Sequence, residues 1–484
     1  MNQHNQSYSR RQFLADSCKV SAGVLAAGVL ASCAPAKKTA AISTTLKPIG
    51  ASERINIAVV GARGRGWAVA GDFMNNPDIQ LKAICDVDGN ILDKRISETQ
   101  EKAGYKPAGY QDMRKMFEDP DIDAVIIATP NHWHALATIW ACQAGKHVYV
   151  EKPCCHNIFE GRKMVEAARK YNRIVQVGFQ NRSIKGVCRA MEFLRSGGIG
   201  DIYMARGLCF KARDPIGLCK DGIGTGPDYK YSVFNSPGEN YTAEYMGRVN
   251  YDMWTGPAPL RPFNYNRFHY NWHWNWAYGG GDIANQGPHQ FDIARWGLGK
   301  AEHPVEISSA GMLAGPKTDQ ETPNTQTANF KYADGTLLVF EVRGLYSNDE
   351  KDISMGNFFY GTKGWMWVNG PKWATFFGRQ NEPGPGSGET DEAAADPRNA
   401  SGTGSGGHVF NFISALRSGR VSELTADIEE GFMSSALPAL ANISYRTGRT
   451  LKFDGGKGKF IGDSQADGLS TRNYRRPYIV PEKI

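Results

Sequence analysis

The chain has 484 residues, 41% hydrophobic and 22% charged, with a formal net charge of +7. That length exceeds one ordinary core and predicts two domains, while the balance excludes a membrane bundle or a disordered chain. The positive charge is spread along the chain without a basic stripe, so no nucleic-acid partner is expected.

In chain order, residues 1–32 read as a targeting segment. Ser9-Arg10-Arg11-Gln12-Phe13-Leu14 resembles the twin-arginine export signal, and the weakly apolar stretch Val20 to Leu30 is too short for a permanent membrane span. Leu30-Ala31-Ser32-Cys33 is similar to a bacterial lipobox, which makes Cys33 the lipidated residue and the new N-terminus. The alternative is an arginine pair before an apolar helix, followed by a chance cysteine. Residues 33–52, rich in Ala, Lys and Thr, read as a tether. The expected location is periplasmic, with membrane contact through the lipid anchor only. Beyond Cys18 and Cys33, seven of the nine cysteines remain, an odd set with the adjacent pair Cys154-Cys155. They suggest neither a disulfide framework nor a zinc site. Cys85 and Cys142 sit in apolar runs and read as buried packing residues.

Ile55 to Val60 is an apolar run of strand length, as expected of a strand buried on both faces. It runs into Gly61-Ala62-Arg63-Gly64-Arg65-Gly66 and a helix-compatible segment, Trp67 to Met74. Strand, glycine loop and helix are the context of a dinucleotide fingerprint: the backbone approaches the pyrophosphate and the helix N-terminus offers free N–H groups. A second strand, Ile79 to Cys85, ends in Asp86, twenty residues after Gly66. An acid there accepts a ribose hydroxyl and repels a 2′-phosphate, so NAD is the expected cofactor and NADP the alternative. The loop departs from G-x-G-x-x-G, because Arg63 stands at the middle glycine and Gly64 is extra. Arg63 and Arg65 read as pyrophosphate clamps, or as partners of a 2′-phosphate despite Asp86.

The alternation continues with strands Ala124 to Thr129, His147 to Val150 and Ile174 to Gly178, and helices Trp133 to Ala144 and Ile158 to Lys170. It predicts a parallel, doubly wound sheet over residues 53–180 with its ligand at the strand C-terminal ends. Thr129-Pro130-Asn131, Glu151-Lys152-Pro153 and Gln180-Asn181-Arg182 fall at those ends. Expected cofactor contacts are therefore Gly61, Arg63, Gly64, Arg65, Gly66, Asp86, Thr129, Pro130, Asn131, Glu151, Lys152 and Gln180. An exported enzyme finds little free nicotinamide cofactor in the periplasm, so its dinucleotide is expected to be tightly held.

Five motifs in order give the chain its resemblance to the family of glucose–fructose oxidoreductase, inositol dehydrogenase and the rhizopine-catabolism protein MocA. They are Val60-Gly61 to Gly66, Ala128-Thr129-Pro130-Asn131-His132-Trp133-His134, Ala144-Gly145-Lys146-His147-Val148 with Glu151-Lys152-Pro153, and Gly279-Gly280-Gly281 with His289 and Asp292. The resemblance runs from Arg54 to about Asp454. It implies an α/β fold: a Rossmann domain, then an α/β domain over 181–454 whose open, mostly antiparallel sheet carries the substrate site and the contacts of a homo-oligomer, a dimer or tetramer. It also places His134 near the cofactor. The residues agree independently. Thr327 to Tyr332 and Leu337 to Val342 around Asp334-Gly335 read as one hairpin, and Asn357 to Tyr360 and Trp365 to Val368 as another. Residues 382–407 read as a mobile insertion, Phe410 to Arg417 and Ile428 to Arg446 as helices, and 455–484 as a C-terminal tail.

Oxidising an alcohol needs a base for the hydroxyl proton and a positive group for the developing alkoxide. Lys152, ending a buried strand, is the candidate, and the matching family lysine has this role. His289 matches the family histidine on the reacting hydroxyl. Many family members carry an Asp four residues earlier, where this chain has Asn285, an amide that takes up no proton. The base role then moves to His289 or another residue, and Asp292 either orients His289 or complements the helix dipole. Arg182 reads as a substrate contact or an ion pair. Trp254 to Tyr278 is dense in aromatics, so Trp272, His273 and Trp276 read as sugar-stacking contacts or as core. His132-x-His134 lacks a third ligand, so no metal is expected. Three functions follow: an NAD(P)-dependent oxidoreductase acting on a carbohydrate hydroxyl, a redox-neutral NAD-using glycosidase, lyase or epimerase of the same family, or a non-enzymatic sugar-binding lipoprotein.

Overall fold

Strand β1 (Ile55–Val60) is buried along its length because it lies at the centre of a parallel sheet, between β2 (Ile79–Cys85) and β4 (Ala124–Ile127). With β3 (Ala108–Tyr110), β5 (His147–Val150) and β6 (Val175–Val177) the order is β3-β2-β1-β4-β5-β6. This doubly wound order reverses at β1, which opens a crevice at the strand C-terminal ends. The computed structural model describes residues 48–50, 53–224, 241–388 and 406–484. The expected signal at 1–32, Cys33, most of the tether and residues 389–405 of the expected insertion lie outside the described residues.

Helix α1 (Gly64–Met74) follows β1, α4 (Asn131–Gln143) follows β4 and α5 (Ile158–Lys170) follows β5. A later helix, Gly406–Ser418, packs its buried face into the core on one side of this sheet. Phe412 packs edge-on against Phe73 and Tyr149 at 6.0 Å from each. Truncating such a fully buried ring costs about 3–5 kcal/mol. Ile49 also joins this core, and its N–H donates to the Leu416 carbonyl. The end of the expected tether is therefore anchored.

The second sheet has ten strands among the described residues. At its centre β7 (Ile202–Phe210) pairs in parallel with β10 (Leu337–Arg343) and antiparallel with β11 (Met355–Gly361). The remaining pairings are antiparallel. Both expected hairpins form: β9 (Thr325–Lys331) with β10, and β11 with β12 (Gly364–Asn369). One face is covered by α10 (Gly287–Gly297) and α12 (Ile428–Thr447). The latter starts on an Asp427 cap and stops at Gly448 in the left-handed conformation.

Two boundaries are corrected. Residues 382–386 of the expected insertion form an edge strand against Lys372–Phe377. Pro383 and Pro385 are tolerated because an edge strand needs only one row of hydrogen bonds. The expected tail at 455–484 is packed into the fold. Phe460, Ala466, Tyr478 and Val480 are buried, and the Tyr478 ring meets Trp133 at 5.3 Å. For most of the aromatic stretch the structure selects the core reading. Trp254, Phe263, Phe268 and Tyr278 form a core of their own, which rests on Val87 of the nucleotide domain. Asn250 N–H donates to Val87 O, Gly89 N–H donates to Arg248 O, and buried Asp88 accepts from Tyr245 Oη and His269 Nε2.

Candidate active site

The crevice begins where β1 ends. A Cβ on Gly66 would lie 1.8 Å from the Gly61 carbonyl oxygen, so only glycine lets α1 start this close to the strand. Nothing stands within 4 Å of a Cβ built on Gly64, and α1 has no side-chain cap and no acid in its first turn. Its leading N–H groups therefore suit a phosphate. Asp86 is buried at the end of β2, with Oδ2 accepting from Ala62 N–H and Oδ1 from Asp88 N–H. Burial pushes its carboxyl up to about 6, against those bonds and Arg63, so it is mainly ionised at neutral pH. The Thr129 hydroxyl is buried with no hydrogen-bond partner among the described residues. A glycine floor, an open helix terminus, an acid and an orphaned hydroxyl fit a dinucleotide.

Several expected cofactor contacts instead hold the crevice in shape. Arg65 Nε donates to Glu151 Oε1 at 2.8 Å. Gln180 Nε2 donates to the same oxygen at 3.1 Å and to Tyr149 Oη at 3.3 Å. A Cβ on Gly178 would strike the Glu151 carboxylate at 2.8 Å, so this buried acid fills the space a side chain would need. Both ring nitrogens of His134 lie 2.7 Å from main-chain carbonyls, those of Pro153 and Thr129. Arg65, Gln180 and His134 were expected on the cofactor. The structure directs these named nitrogens to the protein: Gln180 and His134 are buried and need partners, and the half-exposed Arg65 answers the buried charge of Glu151.

Lys152 extends from the end of β5, and its Nζ donates to the Asn285 carbonyl at 2.8 Å. Burial pulls its ammonium down to about 8; Glu151 opposes this, while Arg65, Lys211 and Arg213 add to it. Lys211 and Arg213 escaped the sequence reading. Their signal is position, just past the end of β7, where that central strand delivers them to the crevice. Arg213 is held by Asp282 at 2.6 Å and lies 4.9 Å over the Trp274 ring. Burial, then the charges of Lys152 and Arg65, hold His289 well below the usual imidazole range. His289 Nδ1 has no partner among the described residues, and the ring meets Phe179 edge-on at 6.2 Å.

Asp292 does not orient His289. It accepts both arms of Arg182, at 2.7 and 2.8 Å, and the Ser434 hydroxyl at 2.6 Å. Arg182 and Asp292 thus form a buried ion pair.

The aromatic residues near the crevice divide. His273 is half-buried, with Nδ1 2.6 Å from the Tyr270 carbonyl and its ring stacked 3.6 Å from Trp272. Burial holds it neutral near 3, and Lys152 and Arg213 are close enough to contribute. A Cβ on Gly279 would lie 2.6 Å from the His273 carbonyl oxygen, so the glycine run lets the Asp282–Asn285 turn close on this histidine. Trp276 stands apart, with its ring 5.1 Å beneath the Arg446 guanidinium. His132 and His134 do not converge, as His132 Nε2 lies 3.0 Å from Trp254 O. Among the described residues there is no cluster of three or more metal-ligating side chains, and no helix is long and apolar enough to cross a membrane.

A parallel sheet, a glycine-floored crevice and a lysine at its edge define an NAD-binding Rossmann protein of the oxidoreductase class. Models of the oxidoreductase family match its NAD-binding Rossmann fold at residues 55–179 and its C-terminal alpha/beta domain at 222–370 and 403–480. The chain belongs to this GFO/IDH/MocA family. It is 31% identical over 161 residues to a myo-inositol 2-dehydrogenase of Thermotoga maritima, covering 33% of this chain and 46% of that protein. It is also 31% identical over 174 residues to a glycosyl hydrolase family 109 protein of Shewanella pealeana, covering 34% and 37%. The matched stretches thus span less than half of these curated relatives. A crystal structure of the Chromobacterium violaceum WlbA dehydrogenase with NADH and UDP-GlcNAcA shares the fold, with a TM-score of 0.60 at 23% identity over 84% of this chain and 98% of that one.

Proposed function

We propose that this chain is an NAD(P)-dependent oxidoreductase acting on the hydroxyl of a sugar, glycoside or polyol, with its dinucleotide tightly held. The observation that carries the reading is Lys152, drawn down to about 8 at the edge of the nucleotide crevice and aimed by the Asn285 carbonyl. Nicotinamide, when bound, supplies hydride exchange at the carbinol carbon. Lys152 moves the hydroxyl proton, because a group titrating near 8 exchanges protons readily at neutral pH. His289, held neutral, is the weaker base and serves as a hydrogen-bond partner of the same hydroxyl. Asn285 acts through its main chain, which explains why an amide side chain is tolerated there. The Asp88 network, joined to Tyr245 and His269 beside Asp86, braces the adenosine end of the crevice and supports retention of the cofactor.

The protein purified in its folded state should release dinucleotide on denaturation, seen by absorbance and mass spectrometry; none released would sink tight binding. Lys152→Ala should abolish turnover of carbohydrate alcohols while leaving that content unchanged, and unaltered turnover would remove its role. A second reading is redox-neutral glycoside cleavage with transient oxidation, favoured by the similarity to the family 109 hydrolase. Free sugar released without net NADH would select it. The twin-arginine motif and Cys33 further support export to the periplasm and a lipid anchor, and the second sheet supports a homo-oligomer. Cys33→Ser should move the protein from the membrane to the soluble fraction.

A further inference from the structure

A cavity of about 370 Å³ lies beside the redox centre. It shares walls with that centre, since Pro153 follows Lys152 and Ala284 precedes Asn285. Further walls come from residues 155–157, from the Trp276 to Gly280 segment and Arg261, from α12 around Pro438, and from residues 468–473 of the packed C-terminal segment. Arg261, Arg446 and Arg472 line it and no Asp or Glu does, while Glu321 and the buried Glu160 stand behind the wall, close enough for their charge to act on Arg446 and Arg472. Arg261 is paired with Glu321 at 3.1 Å, whereas no carboxylate lies within ion-pair distance of Arg446 or Arg472 among the described residues.

Arg472 is the decisive group. One arm, Nη2, donates to the Ala277 carbonyl, but Nε and Nη1 are buried with no hydrogen-bond partner among the described residues. His156 differs: its Nε2–H donates to the Gly279 carbonyl at 3.1 Å, so in the neutral ring that burial enforces, the buried and unpartnered Nδ1 is an acceptor, suited to a ligand hydroxyl and not to the oxyanion. Buried guanidinium N–H groups are ordinarily satisfied, and an oxyanion is their strongest acceptor. Trp276 adds a flat apolar wall under Arg446, suited to the C–H face of a ring.

We propose that this cavity binds an oxyanion group (carboxylate, sulfate or phosphate) carried by a small carbohydrate, with Arg472 and Arg446 as donors and Trp276 against the ring. That the carrier is a sugar rests on the function proposed above; that the cavity takes an oxyanion does not. The test is calorimetric titration of the dinucleotide-loaded protein with glucuronate, glucose, sodium sulfate and sodium phosphate at constant ionic strength. Glucuronate should bind saturably and at least about tenfold more tightly than glucose. Arg472→Gln and the more exposed Arg446→Gln should each weaken it by at least about tenfold while dinucleotide content stays constant. Sulfate or phosphate binding as tightly as glucuronate, and lost in both variants, would uphold the oxyanion site and overturn the sugar as its carrier. Saturable binding by none of the three anions, or full affinity in Arg446→Gln, overturns the site itself. Because binding is read without turnover, a failure of the redox reading leaves this outcome separate.

Discussion

Replacing Lys152 with methionine should destroy activity and strengthen the fold. The ammonium stands at about 8 in the folded chain against an ordinary 10.5, a gap worth about 3 kcal/mol of destabilisation at pH 7, trimmed by solvent at the mouth of the crevice. Methionine keeps the stem and removes the charge. It also leaves the Asn285 carbonyl without its 2.8 Å donor, which costs about 1 kcal/mol. The expected net gain is about 1–2 kcal/mol at pH 7 for nucleotide-free protein in equilibrium urea unfolding. The pH dependence has a definite sign. The folded value lies below the unfolded one, so the penalty is complete below pH 8 and fades as the pH rises towards 10.5. Wild type should therefore close the gap on Lys152→Met across that window. A variant less stable at pH 7, or a difference that stays flat from pH 7 to 10, would refute the perturbed lysine.

Two further substitutions test the crevice and the reassigned ion pair. Gly66→Ala drives a Cβ into the Gly61 carbonyl oxygen at 1.8 Å, so co-purifying dinucleotide should fall at least about tenfold by absorbance; unchanged content would mean the helix need not approach the strand so closely. Arg182→Ala leaves Asp292 charged and buried, and should lower stability by about 3–5 kcal/mol by thermal melting. A normal melt with a raised KM would return Arg182 to the substrate site.

Much of this protein is legible in its sequence wherever the chemistry is local. The β1 run, the glycines after it, Asp86 and Lys152 depend on strand period and on spacing along one βα unit, and the hairpins on turn residues between alternating stretches. Those features fold where they are written. What the sequence left open depends on partners distant in the chain. Arg182 could be a ligand contact or half of an ion pair, and only the approach of Asp292, 110 residues away, decides it. The aromatic stretch could be a binding wall or a core, and tertiary packing made most of it core while leaving Trp276 beside three arginines from separate segments. The C-terminal segment reads as a tail because its few apolar residues show no period; it becomes structure only because Trp133 and Asp252 stand ready to meet Tyr478. Charge and hydrophobicity along the chain decide which side chains must be satisfied. Their partners are chosen by the fold, since burial makes an unpaired group costly only once distant segments have closed around it.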